Sequence, residues 1–112
     1  MAGGLRLIVS MEFDEQLTDQ FIHEFTKFML AGRADEGCQR FDVTRSIEDP
    51  NKLILVELWE SQDLLIKHWD ILQARREEYP KAQAFRPKNV ILEKYDYQRY
   101  QFDGRNYTPI EG

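Results

Sequence analysis

Polar and apolar residues alternate at the start of the chain and then recur with the spacing of a helix. Residues 5–13 carry an apolar side chain at every second position, and this period of two predicts a first β-strand. Asp14 and the acidic residue after it are typical of a helix N-terminus, and apolar residues then recur every three or four positions as far as Met29. The pattern predicts an amphipathic helix that begins near Asp14 and ends near Gly32. Its one histidine, His23, falls off the apolar stripe, so we expect it to be exposed.

A pair of strands is predicted on either side of the turn sequence Asp49-Pro50-Asn51. Proline fixes one backbone dihedral angle, and asparagine tolerates a left-handed conformation. Residues 39–45 alternate in polarity, which indicates a second strand. Residues 52–59 are apolar on both faces, which predicts a third strand that is covered on each side.

A second helix is predicted directly after the third strand. Ser61 is placed to cap its N-terminus, and Pro80 ends it after a charged run at residues 75–78 that we expect to face solvent. One stripe of the helix faces inward: Leu64, Leu65, His68, Trp69 and Leu72. Residues 90–97 predict a fourth strand, so the element order is βαββαβ.

This element order predicts an α+β fold of the ferredoxin-like class, with two helices on one face of a four-stranded antiparallel sheet. Residues 1–4 form a flexible start, residues 5–97 the domain, and residues 98–112 a C-terminal extension in which Asp103-Gly104 is typical of a tight hairpin. Four apolar residues would be left on the sheet face without helices: Ile8, Ile54, Val56 and Leu58. Because exposed patches of this kind usually mark interfaces, we predict a homodimer through the sheet faces.

Composition narrows the class of function. The 112 residues include 15 lysines and arginines against 20 aspartates and glutamates, and the formal net charge of -5 argues against a nucleic acid partner. No apolar run approaches the roughly 20 residues that span a membrane, and no signal peptide is visible, so we expect a cytoplasmic protein with no membrane partner. The glycine spacing matches no nucleotide-binding loop, and two histidines with one cysteine give weak support for a metal site. No cofactor is therefore expected.

Three residues are expected to share one cavity. Glu57 and Trp59 lie two apart on the third strand and therefore on one face, and the helix after Ser61 directs His68 back over that strand. A carboxylate on an apolar strand is costly to bury unless it is paired or opens into a cavity. From spacing alone, a structural role in the core is favoured for Glu57 and Trp59, and for His68 the structural and functional roles are balanced. Cys38, at a strand start, is expected to be a structural thiol.

Four short pieces of sequence occur in an order and spacing that match one family. They are residues 37–43 (GCQRFDV), Asp49-Pro50-Asn51, residues 57–61 (ELWES) and His68. On these pieces the chain resembles the antibiotic biosynthesis monooxygenase (ABM) family, over about residues 5–95. The resemblance implies a dimeric α/β barrel in which each subunit keeps a pocket between its sheet and helices, lined by Trp59 and His68.

The resemblance also implies an activity. Members of this family include small oxygenases that oxidise quinols or anthrone-like phenols with O2 and without flavin, haem or metal. His68 would be the base that removes a phenolic proton, with Trp59 and Glu57 as the other catalytic residues and Glu57 orienting His68 or binding a substrate hydroxyl. Four residues are the candidates for binding the aromatic substrate: Ser10, Arg40, Phe41 and Trp69.

Other functions within the same resemblance stay open. Related haem-degrading enzymes add an asparagine on the first strand, which residues 5–13 lack, so haem is disfavoured as a cofactor. A related isomerase acts on a phosphorylated sugar and would need cationic pocket residues. Arg40 and Arg45 are the candidates for that role, although both are expected on the surface of the second strand. The remaining alternative is a dimer that binds a small hydrophobic ligand without catalysis.

Overall fold

Residues 4–96, 100–103 and 105–110 are described by the computed structural model of the chain. Their strands and helices are, in order, β1 (Leu5–Glu12), α1 (Asp19–Leu30), β2 (Cys38–Arg45), β3 (Lys52–Trp59), α2 (Gln62–Arg75), β4 (Asn89–Asp96), β5 (Tyr100–Phe102) and β6 (Tyr107–Pro109). Short 3-10 turns occupy residues 31–34 after α1 and residues 76–78 and 80–83 after α2. The first six of these strands and helices follow the predicted order βαββαβ.

The four long strands form one antiparallel sheet with the order β2-β3-β1-β4. The two central strands, β1 and β3, pair along their full length, with Leu7 opposite Glu57 and Ile8 opposite Val56. β4 pairs with the other edge of β1, and β2 pairs with the other edge of β3. Both helices cover the same face of this sheet, which confirms the predicted α+β fold of the ferredoxin-like class.

The core lies between the helices and one face of the sheet. Alternation along β1 and β3 turns one set of side chains toward the helices, and α1 adds an aromatic stripe with helical spacing. The buried set includes Leu7, Val9, Phe21, Phe25, Phe28, Leu53, Leu55 and Trp59. One inward-facing position of β3 carries a carboxylic acid, Glu57.

Helix α1 begins later than the apolar spacing predicts, so the expected start near Asp14 is wrong. Its N-cap is Thr18, whose hydroxyl accepts a hydrogen bond from the backbone N–H of Phe21 at 3.1 Å. Leu17 fits the helical spacing but belongs to the connection, where its backbone N–H donates to the Asn51 side chain at 3.1 Å. The hairpin turn therefore holds the segment before α1 outside the helix.

Helix α2 begins as predicted and ends earlier. The hydroxyl of Ser61 accepts a hydrogen bond from the backbone N–H of Leu64 at 3.3 Å, which confirms Ser61 as the N-cap. The α-helix ends at Arg75, and Pro80 begins a separate 3-10 turn. The expectation that the charged run at residues 75–78 faces solvent is wrong for Arg75, whose side chain is only 14% exposed, and for Arg76, which is partly buried.

The sheet face away from the helices is apolar at its centre. Ile8 on β1 and the residues Ile54, Val56 and Leu58 on β3 lie there half-buried, and Ile91 on β4 is more than half exposed. We call this surface the outer face. The homodimer through the outer face stays a prediction.

A short ribbon follows the sheet, in which β5 and β6 pair antiparallel with Gln101 opposite Thr108. Tyr97, the predicted end of the fourth strand, and Gly104, the predicted hairpin glycine, lie outside the described residues. In the part of the chain that the structure describes, neither helix is long and apolar enough to cross a membrane.

Candidate active site

A cavity of about 380 Å³ opens between the helices and the inner face of the sheet. This volume is within the range of small-molecule sites, roughly 300–1,000 Å³. Most of its lining is apolar and includes Val9, Phe25, Phe28, Leu55, Leu72 and Leu92. Charged and amide side chains enter the cavity in two groups, one formed by Glu57 and His68 and the other by Arg76, Gln83 and Arg86.

Glu57 reaches the cavity from β3, where strand alternation turns it toward the helices. Its neighbours across the sheet are Leu7 and Phe41, and it is only 2% exposed. Its Oε1 accepts a hydrogen bond from the indole Nε1–H of Trp59 at 2.8 Å. Burial raises the pKa of Glu57 to about 7, and the hydrogen bond from Trp59 offsets only part of that shift. Glu57 therefore changes charge near neutral pH.

His68 projects from α2, and two kinds of contact hold it: a hydrogen bond at Nδ1 and packing of its ring against aromatic side chains. Nδ1 lies 2.7 Å from Oδ2 of Asp35, which belongs to the loop before β2. The guanidinium of Arg75 donates to both oxygens of Asp35, at 2.6 and 3.2 Å. The rings of Trp59 and Phe41 lie with their centroids 4.5 and 5.7 Å from that of His68. These contacts fix both the position and the orientation of the imidazole.

The charge states of His68 and Asp35 follow from burial and pairing. Burial lowers the pKa of His68, and the hydrogen bond and charge of Asp35 restore only part of it. Burial raises the pKa of Asp35, but the hydrogen bonds from Arg75 and His68 outweigh burial and hold that pKa below its ordinary value. Because an ionised carboxylate only accepts hydrogen bonds, the proton of neutral His68 lies on Nδ1 and its Nε2 keeps a lone pair.

Two glycines allow the loop that carries Asp35 to approach His68. A Cβ at Gly32 would lie 2.9 Å from Cε1 of His68, so a side chain there would displace the imidazole. Gly37 has a φ of 85°, and a Cβ there would lie 2.5 Å from Leu64 on α2. The glycine of the GCQRFDV segment is therefore required for the close contact between this loop and α2.

The structure brings four of the predicted site residues to the cavity: Glu57, Phe41, His68 and Trp69. Trp59 is fully buried behind this lining, where it contacts both Glu57 and His68. The expectation that Glu57 orients His68 is wrong. Glu57 forms its hydrogen bond with Trp59, and the residue that forms a hydrogen bond with His68 is Asp35. Trp59 therefore supports the two polar side chains and does not line the cavity.

The structure does not bring Ser10 or Arg40 into the cavity. Ser10 lies on the outer face of β1, and Arg40 lies on the outer face of β2, where its Nε donates to Asp42 at 2.6 Å. Strand alternation explains both placements, because a residue next to an inward-facing residue points the other way. Arg45 is also outside the cavity, and its Nε donates to the backbone carbonyl of Pro50 at the hairpin turn.

Sequence reasoning missed Asp35 and Arg75. Asp35 lies in a loop that has no periodic pattern, and Arg75 stands in a charged run that is usually solvated. One signal was available for Arg75. It follows His68 by seven residues, or about two helical turns, so the two side chains share a helix face.

The other candidate side chains do not extend the site. Burial raises the pKa of the half-buried Cys38 thiol, which favours its protonated form. His23 is exposed on α1, as the helical pattern predicts. Across residues 4–96, 100–103 and 105–110, no group of three or more His, Cys, Asp or Glu side chains is arranged to hold a metal ion.

The chain matches the sequence profile of the family described as Antibiotic biosynthesis monooxygenase over residues 5–75, which is more than half of its length. It belongs to this family. The matched segment runs from β1 to the end of α2 and contains Asp35, Glu57, Trp59, His68 and Arg75. No curated protein matches the chain in sequence.

Solved structures share the fold over most of their length. A Nitrosomonas europaea protein, provisionally named an antibiotic biosynthesis monooxygenase, has a TM-score of 0.71 at 16% identity over 87% of this chain and 92% of its own. A Caulobacter crescentus protein with the same provisional name has a TM-score of 0.68 at 18% identity, over 86% and 91%. A Bacteroides thetaiotaomicron protein of unknown function, described as a possible oxidoreductase, has a TM-score of 0.66 at 21% identity, over 85% and 98%. Family membership supports a monooxygenase-type function, and these neighbours show the shared fold.

Proposed function

We propose that the protein is a cofactor-independent monooxygenase that oxidises a small aromatic quinol or anthrone-like substrate with O2. The observation that carries this proposal is the position of His68 at the wall of an apolar cavity, with its Nδ1 2.7 Å from Asp35, which Arg75 pairs in turn. Nε2 of His68 has no hydrogen-bond partner among the described residues, so it is the atom that accepts a proton from the substrate.

The reaction begins with a proton transfer. A phenolic or enolic hydroxyl of the substrate gives its proton to Nε2 of His68, and Asp35 stabilises the resulting imidazolium through Nδ1–H. Arg75 keeps Asp35 ionised, because its two hydrogen bonds hold the carboxylate. The product is an electron-rich substrate anion, and the apolar walls exclude the water that would return the proton.

The substrate anion itself reduces O2. One electron passes to O2, and the substrate radical and superoxide then combine to form a C–O bond and a peroxide. His68 returns its proton to this peroxide, and loss of the remaining C–H proton breaks the O–O bond and releases water. In sum, a CH2 group and O2 give C=O and H2O, so the substrate supplies every electron.

Glu57 is proposed to bind a second hydroxyl of the substrate. Its Oε1 is occupied by the Trp59 indole, which leaves Oε2 for the cavity. The ionised carboxylate accepts a hydrogen bond from the hydroxyl and increases the electron density of the ring. Phe41 and Trp69 line the cavity near these groups and supply flat surfaces for an aromatic ligand.

Oxygen uptake by metal-stripped protein, measured against a panel of quinols and anthrones, tests the proposal. His68→Ala should lower kcat by about 10²- to 10⁴-fold, the usual effect of losing a general base. His23→Ala is the matched control, because it removes the same side chain from the exposed face of α1 and should leave kcat unchanged. Full turnover by His68→Ala, or uptake no faster than autoxidation in buffer, would contradict the proposal. Turnover under nitrogen would favour an isomerase instead.

The proposal includes a homodimer formed through the outer face, in a reducing, cytoplasmic setting that suits the free thiol of Cys38. The apolar centre of the outer face supports this assembly. Val56→Asp would place a charge in the contact and should give monomers or aggregates in size-exclusion chromatography with light scattering. Ala74→Asp, on the exposed side of α2, is the control. A stable Val56→Asp dimer would refute this interface.

A further inference from the structure

The second polar group of the cavity has no part in the chemistry proposed above. It consists of Arg76, Gln83 and Arg86, and Leu92 and Val90 beside it are partly exposed. His68 and Leu72 lie four residues apart on α2, and Arg76, the C-cap residue directly after the helix, follows after four more with helical backbone angles, so the three side chains lie on one side. Eight residues of helix span about 12 Å, so the base and Arg76 stand at well-separated points along the cavity.

Arg76 is held with one edge of its guanidinium free. Nη1 donates to Oε1 of Gln83 at 3.0 Å, and Nε2 of Gln83 donates to the backbone carbonyl of Tyr79 at 3.3 Å, which fixes the amide. Nε of Arg76 is buried and has no hydrogen-bond partner among the described residues. Such an unpaired buried donor costs free energy and is rare in folded proteins. The free edge, Nε with Nη2, is the one that can bind a carboxylate through two parallel hydrogen bonds.

Among the described residues, no acid pairs with either arginine of this group. In the part of the chain that the structure describes, no carboxylate lies within salt-bridge distance of Arg76 or Arg86, although the chain has a net charge of -5. Arg75, the preceding residue, is paired with Asp35. A positive charge at the wall of an apolar cavity is costly unless it is paired, and an anionic ligand would supply the missing partner.

We propose that the ligand of this cavity is an aromatic acid, a hydroxylated fused-ring compound with a carboxylate at the end opposite its reacting hydroxyl. Arg76 binds the carboxylate through Nη2 and, after a small rotation of the guanidinium, through Nε. Arg86 adds a second positive charge from its exposed position. The identity of the reacting hydroxyl rests on the proposed function, whereas the carboxylate site requires no reaction with O2.

Two matched probes test the carboxylate site without turnover. 6-Hydroxy-2-naphthoate carries its hydroxyl and carboxylate at opposite ends of a fused ring, and 6-hydroxy-2-naphthamide is its neutral counterpart. Isothermal titration calorimetry under nitrogen, with the full chain, measures both Kd values. We expect the acid to bind about 10- to 100-fold more tightly than the amide, the range for a hydrogen bond to a charged group.

Variants that remove one positive charge show which residue makes the acid bind more tightly than the amide. Arg76→Gln should abolish it with little change in affinity for the amide, and Arg86→Gln should reduce it by a smaller factor because Arg86 is exposed. Lys27→Gln is the matched control, since it removes one positive charge from the exposed side of α1 and should retain the full preference. Thermal melts of each variant establish that it is folded.

Three results would overturn the inference. They are equal affinity of the wild-type protein for acid and amide, a preference that survives Arg76→Gln, and binding of neither probe. The proposed function fails separately. Oxygen uptake that depends on His68 without an acid preference would refute only the carboxylate site, whereas an acid preference without oxygen uptake would refute only the oxygenase.

Discussion

Two buried carboxyl groups of this protein behave in opposite ways. The Asp35 side chain is 6% exposed and Glu57 is 2% exposed, so burial alone would raise both pKa values. Asp35 has Arg75 and His68 as partners, and its pKa is lowered despite burial. Among the described residues Glu57 has a single neutral donor, the Trp59 indole, and its pKa is raised to about 7. The comparison teaches that a charged partner, more than burial, decides the charge of each group.

The two groups also affect stability with opposite dependence on pH. Because the pKa of Asp35 is lowered, its ionised form stabilises the fold above the range where a free aspartate titrates, and this contribution is lost as the pH falls. Because the pKa of Glu57 is raised from 4.5 to about 7, its neutral form suits the fold, and stability is lost as the pH rises through that interval.

Of the three substitutions predicted here, removal of the Asp35 carboxylate should lower the free energy of unfolding most. Asp35→Ala leaves Arg75 without its buried partner, so we expect the free energy of unfolding at pH 7 to fall by about 3 kcal/mol in urea denaturation. Oxygen uptake should also fall, because His68 loses the acceptor of its Nδ1–H. The control is Glu36→Ala, the neighbouring exposed residue, which should have little effect on either. Unchanged stability in Asp35→Ala would break the comparison.

Replacing Glu57 should raise the free energy of unfolding above neutral pH, whereas replacing Asp35 lowers it. Glu57→Gln removes the buried group that must ionise, so the variant should be more stable than the wild type at pH 8. The wild type should lose about 2.5 kcal/mol relative to the variant between pH 5 and pH 8. Urea denaturation at the two pH values measures this difference, with the exposed Glu60→Gln as control. A difference that does not change with pH would show that Glu57 keeps one charge state.

The smallest change in the free energy of unfolding is expected when the indole donor of Trp59 is removed. Trp59→Phe removes the one hydrogen bond that lowers the pKa of Glu57 but keeps a ring against His68. The pKa of Glu57 should rise above about 7, and the free energy of unfolding should fall by about 1–2 kcal/mol. Carbon-13 NMR of the Glu57 carboxyl follows the titration. Trp69→Phe is the control. An equal shift of the Glu57 pKa in both variants would show that the Trp59 indole does not set that pKa.

Local patterns in the sequence were enough to predict the sheet and half of the site. The period of two along β1 and β3 placed Glu57 and Trp59 on the inner face, and helical spacing placed His68 above them. The same alternation places Ser10 and Arg40 on the outer face, because each is next to an inward-facing residue.

The rest of the site depends on contacts between distant segments. Asp35 lies 33 positions from His68 and 40 from Arg75, and no local period relates a loop residue to either. The start of α1 depends in the same way on Asn51, which binds Leu17 across 34 positions. Such contacts are decided by how the loops pack, which propensity and periodicity do not encode.

The most direct test of the central claim is the protonation state of His68. Nitrogen-15 NMR reports both the charge and the tautomer of an imidazole, and the chain has two histidines, so the spectrum of His68→Ala assigns the signals of His68. We predict that His68 is neutral at pH 7 with its proton on Nδ1, and that it titrates below 6.5. A doubly protonated His68 at pH 7, or a neutral ring with its proton on Nε2, would contradict the account, because neither form accepts a proton at Nε2.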